Sequence, residues 1–221
     1  MPSWPSWRDT VSIVDAVRVI EHPVETLEAR ARTLALLAEI FAEVGSDHAL
    51  IGGIAVGFHA RKRATEDVDI LVPREKLDAL EGVLVARGYL VTHSRDMLRV
   101  YPAGADPEHD EAIADLVAWE ANPVLEEAAR VAEPAIVLGH HVKIVPRGAL
   151  VALKFHAAVS PRHAVEDRYQ DVADIGRILK KHWTPEDQAV ALRIAAHGDP
   201  DADAELARLI DDLVHDRAVK I

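Results

Sequence analysis

The 221-residue chain contains no cysteine, which excludes a disulfide framework, a thiolate zinc site and a thiol nucleophile together. The same absence fits a reducing compartment. Long hydrophobic runs are missing too: no uncharged stretch approaches the ~20 residues that span a bilayer. The opening residues MPSWPSWRDT lack the basic-then-apolar order of a secretory leader. These features lead us to expect a soluble, cytoplasmic protein with no membrane partner. Positive charge is in short supply, with 25 Lys and Arg against 37 Asp and Glu, and the net charge of −12 argues against generic DNA binding. Internal repeats and low-complexity tracts are absent as well.

What is present is material for a core. Apolar residues make up 49% of the chain, and the length fits one compact domain or one with an appendage. The charge is uneven. Ala103–Glu133 carries nine acids against one base and Thr184–Ile221 nine against four, whereas His140–Trp183 holds eight bases against four acids, with five histidines. That pattern allows a local basic surface on an acidic protein, or an ordinary solvated charge face.

Helical spacing of Val11, Val14 and Val17 after Ser6-x-x-Asp9 predicts a first helix. A second starts after Pro23 and stops at Gly45, with Leu27, Ala31, Leu34, Leu37, Ile40 and Phe41 on one face. Ala49-Leu50-Ile51 reads as a short strand running into Gly52-Gly53, followed by a short helix over Ile54–Ala60. Val68–Val72, Met97–Tyr101 and Ala112–Ala118 read as strands, Arg74–Arg87 and Asn122–Glu133 as helices. Ala135–Leu138 and Val142–Val145 form a hairpin around Gly139-His140. Beyond Pro146 the pattern is helical throughout: Arg147–Val159, Val165–Lys181, Pro185–Ala196 and Asp201–Val219. The expected organisation is an α/β core with N-terminal helices over 1–146 and a helical C-terminal region over 147–221.

The informative stretch runs from Leu50 to Val72. Residues two apart in a strand share a face, so Asp67 and Asp69 present their carboxylates together while Val68 and Ile70 face the core. Two such charges repel unless a cation sits between them, and oxygen-only ligands suit Mg²⁺. Gly52 and Gly53 stand between a strand and a helix, where a bare backbone can approach a phosphate and the helix N–H groups can bind it. A phosphate cradle facing a carboxylate pair is what phosphoryl or nucleotidyl transfer requires.

This combination resembles the nucleotidyltransferase superfamily related to DNA polymerase β, whose signature is a Gly-Gly or Gly-Ser turn, a short helix and Asp-x-Asp on the next strand. Thirteen residues separate Gly53 from Asp67, as that pattern expects. The superfamily takes a third carboxylate from a later strand, and Asp115 is the only acid in Ala112–Ala118; Asp110 and Glu111 are weaker matches. The chain is most similar to the AbiEii-type toxins and related small bacterial nucleotidyltransferases, which share Arg63, Thr65, Asp67 and Asp69, then Leu150-x-x-x-Lys154 and Arg168-x-x-Asp171-x-x-Asp174. The resemblance spans roughly Leu50 to Leu179. Gly53 departs from the serine that many members carry there, which removes one hydroxyl contact to a triphosphate.

The resemblance implies an α/β (α+β) fold with a nucleotidyltransferase-type mixed sheet flanked by helices. It implies a Mg²⁺-dependent enzyme that moves an NMP from an NTP to an acceptor hydroxyl and releases pyrophosphate. Asp67, Asp69 and Asp115 would hold two Mg²⁺, with Asp115 also helping to deprotonate the acceptor. Gly52, Gly53, Arg63, Thr65, Lys154 and Asp171 would bind the nucleotide, Lys154 would also be catalytic with the three aspartates, and Asp171 or Asp174 would orient Lys154 or the acceptor. The acceptor would be an RNA or tRNA end or a protein hydroxyl, and the chain would be the toxin of a toxin–antitoxin pair, with an antitoxin as partner. A second enzymatic reading is adenylylation of an aminoglycoside-type antibiotic. The non-catalytic reading is a silent member of the fold that binds a partner through the acidic helix Asp199–Val219.

Plainer roles compete residue by residue. An Asp-x-Asp pair alone is usually a solvated strand end. Lys154 lies beside Leu150 and Leu153, where a lysine stem covers core while its head reaches solvent. Asp171 and Asp174 can simply pair with Arg168 and Arg177. The histidines show no convincing zinc spacing, the four Trp read as packing anchors, and Tyr169 reads as helical surface packing.

Overall fold

Good helix formers with apolar side chains at Leu34, Leu37, Ile40 and Phe41 build α1 (Val24–Val44), and all four are buried. Gly45 ends it in the left-handed region, at φ 62°. The structure, a computed structural model, describes residues 24–60, 67–161 and 163–219. The helix expected after Ser6 lies outside those residues.

The chain continues through β1 (Ala49–Leu50), α2 (Gly52–His59) and β2 (Val68–Val72), then a 3-10 turn that leads into α3 (Leu77–Ala86). A hairpin of β3 (Leu90–Ser94) and β4 (Met97–Tyr101) precedes β5 (Ala114–Ala118) and α4 (Pro123–Arg130). A second hairpin, β6 (Glu133–Val137) and β7 (His140–Ile144), turns through Leu138 and Gly139, both at positive φ. Four helices follow: α5 (Arg147–Val159), α6 (Val165–Leu179), α7 (Pro185–Ala195) and α8 (Ala202–Val214). Local chemistry sets several of these starts. Asn122 accepts the Val124 N–H ahead of α4, and Thr184 with Asp187 makes a reciprocal capping box on α7.

The strands form one seven-stranded mixed sheet in the order β3-β4-β5-β2-β1-β7-β6. β2 runs parallel to β5 and antiparallel to β1, and β1 runs parallel to β7. The fold is thus a mixed α/β sheet flanked by helices, with helices alone after β7. Val68, Ile70, Leu71 and Leu116 from the sheet and Leu150 and Val151 from α5 are fully buried in one continuous core.

Four local expectations change. Gly52 and Gly53 do not precede α2 but form its first turn, with Ile51 as the N-cap. Sequence patterning misses β3, because this edge strand is largely exposed and shows no apolar alternation. The helix expected over Asn122–Glu133 ends at Arg130, and Glu133 opens β6. The last helix is shorter than Asp201–Val219, because Asp201 takes a left-handed conformation and α8 ends at Val214.

Both ends of α2 are fastened. Its first turn meets β2, where Ile51 N donates to the Asp69 carbonyl at 2.9 Å. At the other end His59 Nε2 donates to the Val145 carbonyl at 2.7 Å, and Lys181 Nζ donates to the Ala60 carbonyl at 2.6 Å. Burial holds His59 below the ordinary imidazole value, in keeping with a neutral ring used as a donor.

α5 packs closely on α7. A Cβ added at Gly148 would collide with the Asp187 carbonyl and sit 2.9 Å from the Val190 Cβ. Overpacking costs about 1–3 kcal/mol, against the ~1 kcal/mol that Ala gains over Gly in a helix. Because the obstacle is backbone, the cost prevails: Gly148→Ala should lower the urea midpoint, equivalent to about 1 kcal/mol, with the slope of the transition unchanged.

Candidate active site

Strand register assembles the acidic centre. β2 and β5 pair in parallel with Asp69 directly opposite Asp115, so the two side chains leave the same face of the sheet. Asp67, two residues upstream, joins them, while Val68 and Ile70 point into the core. Carboxylate oxygens of Asp67, Asp69 and Asp115 lie within 4.8 Å of one another.

Such crowding is unfavourable for charge. Burial, then the charge of Asp67, pushes Asp69 up from 3.8 to about 7, with Asp115 adding and Lys154 and the Gly53 N–H opposing. Asp115 is likewise raised, first by burial and then by Asp67, against the nearby Arg99. The buried Oδ1 of Asp115 has no hydrogen-bond partner among the described residues. Three convergent, partly desolvated carboxylates with an orphaned oxygen fit a hard divalent cation such as Mg²⁺.

The glycine turn has a specific geometric task. Gly52 sits at φ +64°, and a Cβ there would fall on the Asp69 carboxylate, 2.5 Å from its Cγ. Gly53 donates its N–H to the same carboxylate. The first turn of α2 therefore wraps Asp69, with the helix N-terminus favouring its negative form.

On the other flank stands Lys154 of α5. Its Nζ lies 2.7 Å from Asp171 Oδ1 and 3.3 Å from Asp174 Oδ2, both from α6. The ammonium is not a snorkelling head: the Lys154 side chain is 13% exposed, and Asp174 is 0% exposed. Arg177 pairs with Asp174 at 2.6 Å, as the plainer reading expects, but Arg168 donates instead to the Ala158 carbonyl. Burial raises Asp171, and Lys154 opposes the shift. Arg63 and Thr65 lie outside the described residues.

An open cleft of about 380 Å³ adjoins the triad, lined by Asp67, Arg99, Tyr101, Pro107, Asp110, Glu111, Ala112 and Asp115. Asp110 and Glu111 thus border the centre without joining the triad. Arg99 is the residue that sequence reasoning misses. It faces Asp115 across the β4–β5 ladder, its Nε 3.5 Å from Asp115 Oδ2. In Met97-Leu-Arg-Val-Tyr101 it occupies a polar slot of a half-buried strand, and only the pairing register reveals its neighbour. A further group, Asp78, Glu81 and His93, also brings ligand atoms within 4.8 Å, but His93 is engaged with Glu81 at 2.6 Å.

Comparison with known proteins bears on the family and the fold. The family model described as "Nucleotidyl transferase AbiEii toxin, Type IV TA system" matches residues 35–220. The crystal structure of an antigenic nucleotidyltransferase-like protein from Paracoccidioides brasiliensis is similar over 83% of this chain and 93% of its own, at 16% identity and a TM-score of 0.51. That of ANT(2")-Ia in complex with adenylyl-2"-tobramycin is similar over 76% of this chain and 97% of its own, at 14% identity and a TM-score of 0.55. These two likenesses speak to the fold. Among curated proteins none matches the sequence.

The raised carboxyl of Asp69 sets a pH dependence. Between its ordinary 3.8 and about 7 the folded protein binds a proton that the unfolded chain does not. This contribution to metal-free stability is complete at low pH and is lost as pH rises through about 7. Mg²⁺ should therefore raise the melting temperature at about pH 8, where it replaces the proton, and have little effect at about pH 5.5. Asp69→Asn should raise the metal-free melting temperature at the higher pH and abolish the Mg²⁺ response.

Proposed function

The chain belongs to the AbiEii nucleotidyl transferase family, and on that premise we propose that it transfers a nucleoside monophosphate from an NTP to an acceptor hydroxyl in a Mg²⁺-dependent reaction. The observation that carries this reading is the convergence of Asp67, Asp69 and Asp115 beside a lysine held by two buried carboxylates. When bound, a pair of Mg²⁺ ions would supply Lewis-acid activation of the hydroxyl and neutralise the phosphates.

The chain's own residues do the rest. Asp67 and Asp69 would hold the metal at the start of β2, and the Gly52-Gly53 turn keeps the Asp69 carboxylate in place. Lys154, kept from swinging away by Asp171 and Asp174, provides fixed positive charge on the Asp69 flank for the triphosphate. By the family resemblance, Arg63 and Thr65 would also bind the nucleotide. Asp115, raised toward neutrality by burial, is suited to take the acceptor proton as the new P–O bond forms and the bond to pyrophosphate breaks. The acceptor reaches the phosphorus through the cleft beside Asp67 and Asp115, and an RNA or tRNA end or a protein hydroxyl is the expected class. In keeping with the family, the activity is that of a toxin restrained by an antitoxin partner.

A second reading rests on the cleft lining. Asp110 and Glu111 add acid beyond the triad, which favours a cationic small acceptor of the kind named in the ANT(2")-Ia complex. Incubation with each α-labelled NTP and Mg²⁺, with total tRNA, host lysate and tobramycin as separate acceptors, distinguishes these classes. Label should appear in one fraction and be lost in Asp69→Ala, whose circular dichroism should remain that of the parent. Transfer by Asp69→Ala at the parental rate would sink the assignment.

A further inference from the structure

Two cations flank the acidic centre, and they are held very differently. Lys154 is nearly buried and clamped by Asp171 and Asp174, so its charge is a permanent part of the site. Arg99 is half-exposed, with 51% of its side chain accessible, and Asp115 is its one ion-pair partner among the described residues, at 3.5 Å. Its guanidinium uses Oδ2, the same carboxylate whose Oδ1 is left without a partner. It also lines the cleft, so open space lies beside the ion pair on that side.

A divalent cation at the triad and the Arg99 guanidinium compete for one carboxylate. Like charges a few Å apart repel, and at a partly desolvated edge that repulsion is only weakly screened. We propose that Arg99 is an exchangeable counter-ion for Asp115: it balances the carboxylate before metal loads, yields it on loading, and moves into the cleft. Arg99 is therefore a positioning residue that opposes metal binding and couples it to a change at the cleft wall. This rests on the triad being a divalent-cation site, as the proposed function requires.

The test is Mn²⁺ affinity of the full chain without nucleotide, read by Mn²⁺ electron paramagnetic resonance, for the parent, Arg99→Gln, Arg99→Lys and Asp115→Asn. Arg99→Gln should bind Mn²⁺ about fivefold more tightly, because a competing charge is removed. Arg99→Lys, which keeps the charge, should stay near the parent, and Asp115→Asn should bind much more weakly. Equal or weaker binding by a folded Arg99→Gln overturns the proposal while leaving the metal site intact. No Mn²⁺ binding by the parent overturns this proposal, whereas the nucleotidyl-transfer reading stands or falls on label transfer from the α-labelled NTPs. Should Arg99→Gln fold poorly, the parent itself decides the matter. Its Arg99 Nε–H signal in a ¹⁵N spectrum, assigned by its loss in Arg99→Lys, should exchange faster with water once Mg²⁺ is added; an unchanged signal at saturating Mg²⁺ overturns the exchange.

Discussion

Three carboxylates brought within 4.8 Å at the starts of two interior strands are the constraint around which the rest is arranged. Left alone they would repel one another and resist desolvation. The fold meets that cost in several ways at once: a glycine turn that donates to Asp69, a lysine fixed by two buried acids, and an arginine across the ladder from Asp115. None of these fully compensates, and Asp69 remains near neutrality in its metal-free form. The residual imbalance suits the three carboxylates to a divalent cation, whose binding would return the stability that their crowding costs.

The lysine clamp brings the helical region up to the acidic centre that the sheet assembles. Lys154 is supplied by α5 and its two anchors by α6, so the position of the ammonium depends on helix packing rather than on the sheet. Breaking a buried ion pair by removing one member typically costs about 3–5 kcal/mol. The clamp therefore ties the integrity of the α5–α6 pair to the charge that faces Asp69.

Much of this centre is readable from sequence because strands have a strict period of two. Asp67 and Asp69 share a face for that reason, and Val68 and Ile70 fix which face it is. Asp115 stands out as the single acid of an apolar run. Arg99 does not stand out, because an arginine in an alternating strand looks like any solvent-facing residue until the β4–β5 register sets it opposite Asp115. Gly52-Gly53 suggests a phosphate cradle, and the structure adds that the turn already holds a carboxylate from the neighbouring strand. Strand β3 escapes detection because an exposed edge imposes no apolar rhythm. Lys154, Asp171 and Asp174 are picked out by the family resemblance, but not the direction in which the lysine turns.

The fastening of α2 at both ends has a consequence for how this chain can change over generations. Eight residues span about 12 Å at helical rise, from the turn around Asp69 to the bonds that His59 and Ala60 make with Val145 and Lys181. One residue inserted or deleted would rotate everything beyond it by about 100° and separate one end from its partners. Descendants of this sequence can lengthen or trim the connection at its exposed start, over 102–104, which lies at the surface away from the cleft lining. Within Gly52–His59, by contrast, length is fixed even where side chains are free to drift.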